Sequence, residues 1–144
     1  MATQGFDFSR AMERLCREAE HVGARCAAGG NAVDRPGFFW EPTVYLDVPV
    51  SAQLMTTEPF GPVAAISRFS GLADALVEAN RLPYGLSAYV FTQSRSVADE
   101  MIEATESGTS GLNTVQGVLP ETPFGGVLDS GIGREGGREG MEPY

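Results

Sequence analysis

The sequence contains no lysine. Its ten positive side chains are all arginine, set against nineteen acids, and the formal net charge is -9. That balance argues against nucleic acid or an anionic membrane as a partner, since both require a basic patch to meet phosphate. Histidine occurs once, at His21, and cysteine twice, at Cys16 and Cys26. A structural zinc site takes four ligands at short paired spacings, so no metal is expected, and two thiols make no disulfide framework. Cys16 and His21 are also excluded as a nucleophile and base. Five residues along a helix is roughly 500° of turn, so the two point apart. No apolar run approaches the roughly 18 residues of a membrane span. The stretch from Met1 to Met12 lacks the basic-then-apolar layout of a secretory signal, which sets the expectation of a cytoplasmic protein.

What is present falls unevenly along the chain. A length of 144 residues suits one domain able to bury about two-thirds of its unfolded surface. Residues 1–35 hold five arginines and five acids, so the whole net charge of -9 lies in residues 36–144. Four of those acids, Asp99, Glu100, Glu103 and Glu106, share one predicted helix and read as its solvated face. Ten of the eighteen glycines fall in residues 108–144, where the chain must turn sharply or let something approach its backbone.

Periodicity gives the elements. Met12, Leu15, Cys16, Ala19 and Val22 recur at three and four residues, the stripe of an amphipathic helix that starts after Asp7 or Ser9 and ends near Gly23. Residues 28–36 read as a loop, with turn signals at Gly29-Gly30-Asn31 and Pro36-Gly37. Residues 38–48 are extended and aromatic-rich, with Pro42 making an edge strand or a broken one. Residues 49–57 read as irregular. A short strand over 63–69 precedes a helix marked by Leu72, Ala75, Leu76, Ala79 and Leu82 and stopped by Pro83. Residues 86–92 are nearly continuous in apolar character, as in a strand buried on both faces. Ser94 or Ser96 caps the next helix, whose inner stripe is Val97, Met101, Ala104 and Thr105, and a strand over about 111–114 follows.

The alternation β-α-β-α-β from residue 63 onward predicts an α/β fold, a parallel sheet built from two crossover units with flanking helices. Ligands of such sheets bind beyond the carboxyl ends of the strands. Here those ends lie near Ser70, near Thr92, and in the long glycine-rich segment after Asn113. Gly131-x-Gly133-x-x-Gly136 matches the dinucleotide fingerprint in letters only, because no clear strand precedes it and no periodic helix follows. A glycine-rich turn is the expectation there.

Three stretches carry more than packing. They are Glu58-Pro59-Phe60-Gly61-Pro62-Val63, Pro83-Tyr84-Gly85-Leu86-Ser87-Ala88-Tyr89-Val90-Phe91-Thr92, and Pro123-Phe124-Gly125-Gly126-Val127 running on through Ser130-Gly131-Ile132-Gly133-Arg134-Glu135-Gly136-Gly137. In this order, with Gly29-Gly30 and Gly37-Phe38-Phe39-Trp40-Glu41-Pro42-Thr43-Val44 upstream, the chain resembles the carboxy-terminal part of the aldehyde dehydrogenase superfamily from about Phe6 to Tyr144. The resemblance implies a partial catalytic domain over residues 1–144.

It also implies roles. Glu58 would accept hydrogen bonds from both hydroxyls of the nicotinamide ribose of NAD or NADP, work for which an acceptor-only carboxylate is suited. Phe60 would pack against the nicotinamide. The segment after Asn113 resembles the family's substrate tunnel, in which Asn113, Val118, Leu119 and Phe124 would face an aldehyde. Val118 and Leu119, at positions that vary with substrate in the family, are aliphatic, whereas relatives selective for short acid-ended aldehydes carry a hydroxyl in this stretch. Leu128 stands where a lysine is usual.

The family reaction uses a cysteine thiolate as nucleophile, passes hydride to NAD(P)+, and hydrolyses the thioester with a water activated by glutamate. The nucleophile sits in a Gly-Gln-x-Cys segment and the base in a Glu-Leu-Gly-Gly-like one, and neither string occurs in these 144 residues. The expectation is therefore a truncated or partial NAD(P)-dependent aldehyde dehydrogenase, inactive by itself. The alternatives are a split enzyme completed by a second chain, or a non-catalytic binding or interaction module. Exposed sheet edges would serve self-association or a completing chain. Family members also continue past a Gly-x-x-x-Tyr like 140–144 into a further strand. Apolar surface is expected around residues 38–45 or along the tunnel segment.

Overall fold

The computed structural model describes residues 8–116 and 118–142. The opening residues and Tyr144 of the Gly-x-x-x-Tyr motif lie outside the described residues. The chain divides into two compact units, Met1–Arg68 and Phe69–Tyr144.

The first unit is built on α1 (Phe8–His21), whose stripe of Met12, Leu15, Cys16 and Ala19 is buried. Those side chains form one core with Trp40, Tyr45, Val48, Ala52 and Leu54. Met12 and Tyr45 are the largest fully buried side chains, and burying a residue the size of Met12 contributes about 2 kcal/mol. The stripe read from the sequence is thus the face that packs. His21 closes the last turn on the exposed side, while Cys16 points into the core.

Among the described residues three strands complete this unit: β1 (Arg25–Ala28), β2 (Thr43–Leu46) and β3 (Val63–Ile66), in the order β1-β2-β3. β1 runs antiparallel to β2 with a bulge between Cys26 and Ala28, and β2 runs parallel to β3. β1 had no sequence signal, since Arg-Cys-Ala-Ala neither alternates nor carries a β-branched residue. Pro42 ends just before β2, so the 38–48 stretch is broken there. Of the two readings that Pro42 left open, the edge strand is the one corrected, because β2 is the middle strand. Thr43 is buried and holds this entry to the strand: its Oγ1 accepts from the Gly30 N–H at 2.9 Å and from Trp40 Nε1 at 3.2 Å, and donates to the Glu41 carbonyl at 2.7 Å. Gly29, at φ +70°, lies so close to the Pro42 carbonyl that a Cβ would overlap it. A 3-10 turn over Gln53–Met55 occupies part of the stretch read as irregular.

The second unit contains α2 (Leu72–Ala79), β4 (Tyr84–Gly85), β5 (Ser87–Val90), α3 (Arg95–Ala104), β6 (Thr109–Leu112) and β7 (Val127–Leu128). β5, α3 and β6 form a crossover unit, with Ser87 to Val90 paired in parallel to Thr109 to Leu112. β4 and β7 form a short antiparallel ladder. Parallel pairing by crossover is therefore present, as the α/β reading required. The single parallel sheet expected from residue 63 onward is corrected: β3 pairs with β2 in a mixed sheet that also holds antiparallel β1, and β5 pairs with β6 in a separate two-stranded parallel sheet.

α2 stops at Ala79, earlier than Leu82, because Asn80 turns to another task. Its Nδ2 donates to the Ala104 carbonyl at 2.7 Å and its Oδ1 accepts from the Glu106 N–H at 2.9 Å, closing the end of α3. Ser94 is the N-cap of α3, its Oγ accepting from the Val97 N–H at 3.4 Å. The four acids of the predicted solvated face are all exposed. β5 departs from the expectation of burial on both faces, with Tyr89 44% exposed and its neighbours half-buried. An apolar run marks a strand, but what covers it comes from elsewhere in the fold.

Candidate functional site

Glu58 and Phe60 belong to the first unit, in the loop that leads into β3. Glu58 is exposed. Phe60 is 76% exposed and has φ +41°, a left-handed backbone that a bulky residue seldom adopts. Gly61 follows where a Cβ would overlap the Met12 sulfur, so the loop sits directly on α1 and its position is fixed. A core contact is thus spent on holding an aromatic ring out in solvent.

Asn113, Val118, Leu119 and Phe124 belong to the second unit. Asn113 follows β6 directly, at the carboxyl end of the β5–β6 ladder, with φ +53°. Its N–H continues the ladder to the Val90 carbonyl at 2.8 Å. Val118 and Leu119 are 54% and 55% exposed. Leu119 begins a turn closed by Thr122, whose N–H and hydroxyl both donate to the Leu119 carbonyl at 3.0 Å.

Phe124 is half-buried and pinned by two backbone hydrogen bonds with Glu135, each 2.7 Å. Within that closed loop the Arg134 guanidinium donates from Nη1 to the carbonyls of Gly126 and Gly133, both at 2.8 Å. Ser130 Oγ accepts from the Gly85 N–H at 2.9 Å, tying the loop to β4. Gly126 lies so near Ser130 that a Cβ would overlap its Cβ. The result is a pocket of about 430 Å³ lined by Leu86, Phe124, Ser130, Arg134, Glu135 and intervening glycines. Gly131 and Gly136 take φ of +116° and +69° within this loop, and no α-helix opens on them. The fingerprint letters at 131–136 are a turn, as the sequence indicated.

A second cavity, about 340 Å³, opens beside α1. Its lining includes Cys16, Glu20, Asn31 and Trp40, and none of the site residues expected from the sequence. Burial raises the Cys16 thiol above its ordinary 9.0, which keeps it protonated and unreactive. Among the described residues no group of three or more His, Cys, Asp or Glu could hold a metal. No helix among them is long and apolar enough to cross a membrane.

The family model described as "Aldehyde dehydrogenase family" matches residues 8–144. This chain belongs to the aldehyde dehydrogenase family. Relatives include the 4-(hydroxymethyl)benzenesulfonate dehydrogenase of Comamonas testosteroni, 43% identical over 134 residues that cover 93% of this chain and 28% of that protein. The NADP-linked succinate-semialdehyde dehydrogenase of Escherichia coli is 40% identical over 135 residues, covering 92% of this chain and 28% of that one. Among solved structures, an NADP-dependent enzyme of E. coli superposes with a TM-score of 0.91 at 39% identity, covering 95% of this chain and 28% of that chain. The chain therefore spans about 28% of the length of these relatives.

Two contributors escaped the sequence reading. Arg134 was visible only as one letter of the glycine-rich run, and Thr92 was read as a strand end with nothing to mark it as the partner of Asn113. Each takes part in a side-chain-to-backbone hydrogen bond that bridges a turn or two strands, Arg134 to the Gly126 carbonyl and Thr92 through its own backbone to the Asn113 amide.

Proposed function

We propose that these 144 residues are the latter part of an aldehyde dehydrogenase catalytic domain, carrying one side of the site that oxidises an aldehyde to a carboxylic acid with NAD or NADP. The conformation of Phe60 carries the reading. A large ring held 76% exposed on left-handed backbone has a local cost with no return inside its own unit, a pattern typical of ligand-contacting positions. Packing against a flat heteroaromatic ring would supply that return.

The residues suit a nicotinamide cofactor in chemistry: Glu58 offers two unencumbered acceptor oxygens for a pair of vicinal hydroxyls, and Phe60 offers a face. The nicotinamide, when bound, supplies the hydride acceptor. Val118, Leu119 and Phe124 would offer apolar and aromatic surface to the aldehyde, and Asn113 starts the segment that bears them. Such surface suits a substrate with an apolar portion. The nucleophilic cysteine and the glutamate base come from outside these residues, in the remainder of the domain or in a second polypeptide. Free thiols at Cys16 and Cys26 suit a reducing compartment, the cytoplasm.

Mixing the chain with a polypeptide that bears the upstream family segments tests the proposal. Aldehyde-dependent formation of reduced nicotinamide should arise in the mixture and in neither part. Two parts that associate without producing it would overturn the reading.

A further inference from the structure

The side chain of Asn113 is already engaged. Its Nδ2 donates to the Thr92 carbonyl at 3.0 Å, while its Oδ1 accepts from the Thr92 N–H at 2.9 Å. A primary amide that serves the N–H and the C=O of one residue imitates a neighbouring strand peptide. The main chain makes its last parallel rung from Asn113 N–H to Val90 O, and the side chain then supplies the next one, at Thr92.

This substitution of side chain for backbone frees the chain to leave the sheet early. At Asn113 the backbone turns to φ +53°, a region where asparagine is enriched several-fold over other non-glycine residues. The next residue folds back over the strand just left: a Cβ on Gly111 would lie 2.8 Å from the Thr114 carbonyl and 2.7 Å from the Tyr89 ring. Only glycine at 111 accommodates that return. Thr92 is tied onward as well, its Oγ1 accepting from the N–H of Ser94, the cap of α3, at 3.1 Å. The departing segment is held again at its far end by the Phe124–Glu135 pair.

We infer that Asn113 is a positioning residue. Its amide clamp on Thr92 sets the direction in which the segment bearing Val118 and Leu119 leaves the sheet, and its side chain does not contact substrate. The role given to that segment rests on the dehydrogenase reading above, whereas the clamp itself does not.

Three substitutions separate backbone from amide. Asn113→Gly keeps the left-handed turn and loses both hydrogen bonds. Asn113→Asp keeps the acceptor for the Thr92 N–H and faces the Thr92 carbonyl with a charge. Asn113→Ala loses amide and turn together. Amide hydrogen exchange and heteronuclear spectra of the labelled 144-residue chain provide the readout. The Thr92 amide should exchange about fivefold faster in Asn113→Gly and Asn113→Ala, and less so in Asn113→Asp, the size expected from one modest hydrogen bond. Val118 and Leu119 resonances should move in Asn113→Gly, while protection along the Val90–Leu112 ladder stays as in wild type. A role in backbone conformation alone would leave Asn113→Gly indistinguishable from wild type, and that result overturns the inference.

The wild-type chain offers a check independent of any variant. One Nδ2 proton of Asn113 should exchange slowly, and exchange of both at the rate of a free amide would refute the clamp. No cofactor, aldehyde or second chain enters these measurements, so failure of the dehydrogenase reading would leave them intact. In the active mixture, Asn113→Gly should raise the aldehyde KM with the cofactor KM unchanged. A direct ligand to substrate would instead alter KM without changing Thr92 protection.

Discussion

Tyr45 donates its hydroxyl hydrogen to Glu20 Oε1 at 2.9 Å, joining the middle strand of the first unit to the helix that covers it. Tyr45 is fully buried, yet its polar tip reaches an exposed carboxylate. The Cys16 thiol shares that hydroxyl. Burial is the largest influence raising Tyr45 above its ordinary 10.0, followed by the hydrogen bond to Glu20. Burial likewise leads the rise of Cys16 above 9.0, opposed in part by the Tyr45 hydrogen bond.

The sign of the pH effect follows. Both groups hold their protons longer in the folded chain than in the unfolded one, so their stabilisation is complete below about pH 9 and declines as pH rises. Urea midpoints should hold up to about pH 9 and fall above it. Tyr45→Phe should cost about 1 kcal/mol near neutrality and flatten that decline, since the ring stays while the ionisable hydroxyl goes. An unchanged slope in Tyr45→Phe would place the effect elsewhere.

Close backbone approach in the second unit predicts a contrast between two glycines. A Cβ at Gly108 would overlap the Gly125 carbonyl, whereas one at Gly133 meets nothing within 4 Å. Gly108→Ala should therefore destabilise by about 3 kcal/mol, and Gly133→Ala by less than about 0.5 kcal/mol. Thermal unfolding of the two variants side by side measures it.

Glu58→Gln keeps size and one acceptor but removes the charge that strengthens both expected hydrogen bonds. In a mixture that turns over aldehyde, the cofactor KM should rise about tenfold, the equivalent of one charge-assisted bond. The chain alone should fold as before, because Glu58 is exposed. A change in stability without a change in cofactor KM would make Glu58 structural.

Phe38, Phe60 and Phe69 are 70%, 76% and 66% exposed, and Ile132 is 98% exposed. The isolated chain should bind a hydrophobic dye and show concentration-dependent self-association in sedimentation. A monomer without dye binding across the accessible range would mean these side chains are covered in solution.

The helices were the most legible elements, though only α1 packs as its periodicity indicated. α2 has no buried residue, and α3 buries Ala98, outside its expected stripe, while Ala104 is exposed. α1 was readable from Met12, Leu15, Cys16 and Ala19, and α3 from the Ser94 cap. The expected exposure around 38–45 holds at Phe38 and Phe39 and fails at Trp40 and Tyr45, which are core. That split depends on Thr43 catching the Trp40 indole and on Tyr45 reaching α1, and composition records neither. β1 and the two-residue strands β4 and β7 left no pattern because they exist through pairing with distant partners. The candidate site divides in the same way. Glu58, Phe60 and Phe124 were legible as motif letters, but the left-handed turn at Phe60 was not, since phenylalanine does not favour it. Nor was the Asn113 clamp, whose partner lies 21 residues away.

Aldehyde-dependent reduction of NAD+ or NADP+ by the 144-residue chain alone tests the partial-site reading most directly. The expected result is no reduced nicotinamide above background. Cys16 is buried and held protonated, and neither it nor Cys26 stands in the Gly-Gln-x-Cys setting of the family nucleophile. Turnover by the isolated chain that vanishes in Cys16→Ser or Cys26→Ser would contradict the account, because it would place the complete reaction within these residues.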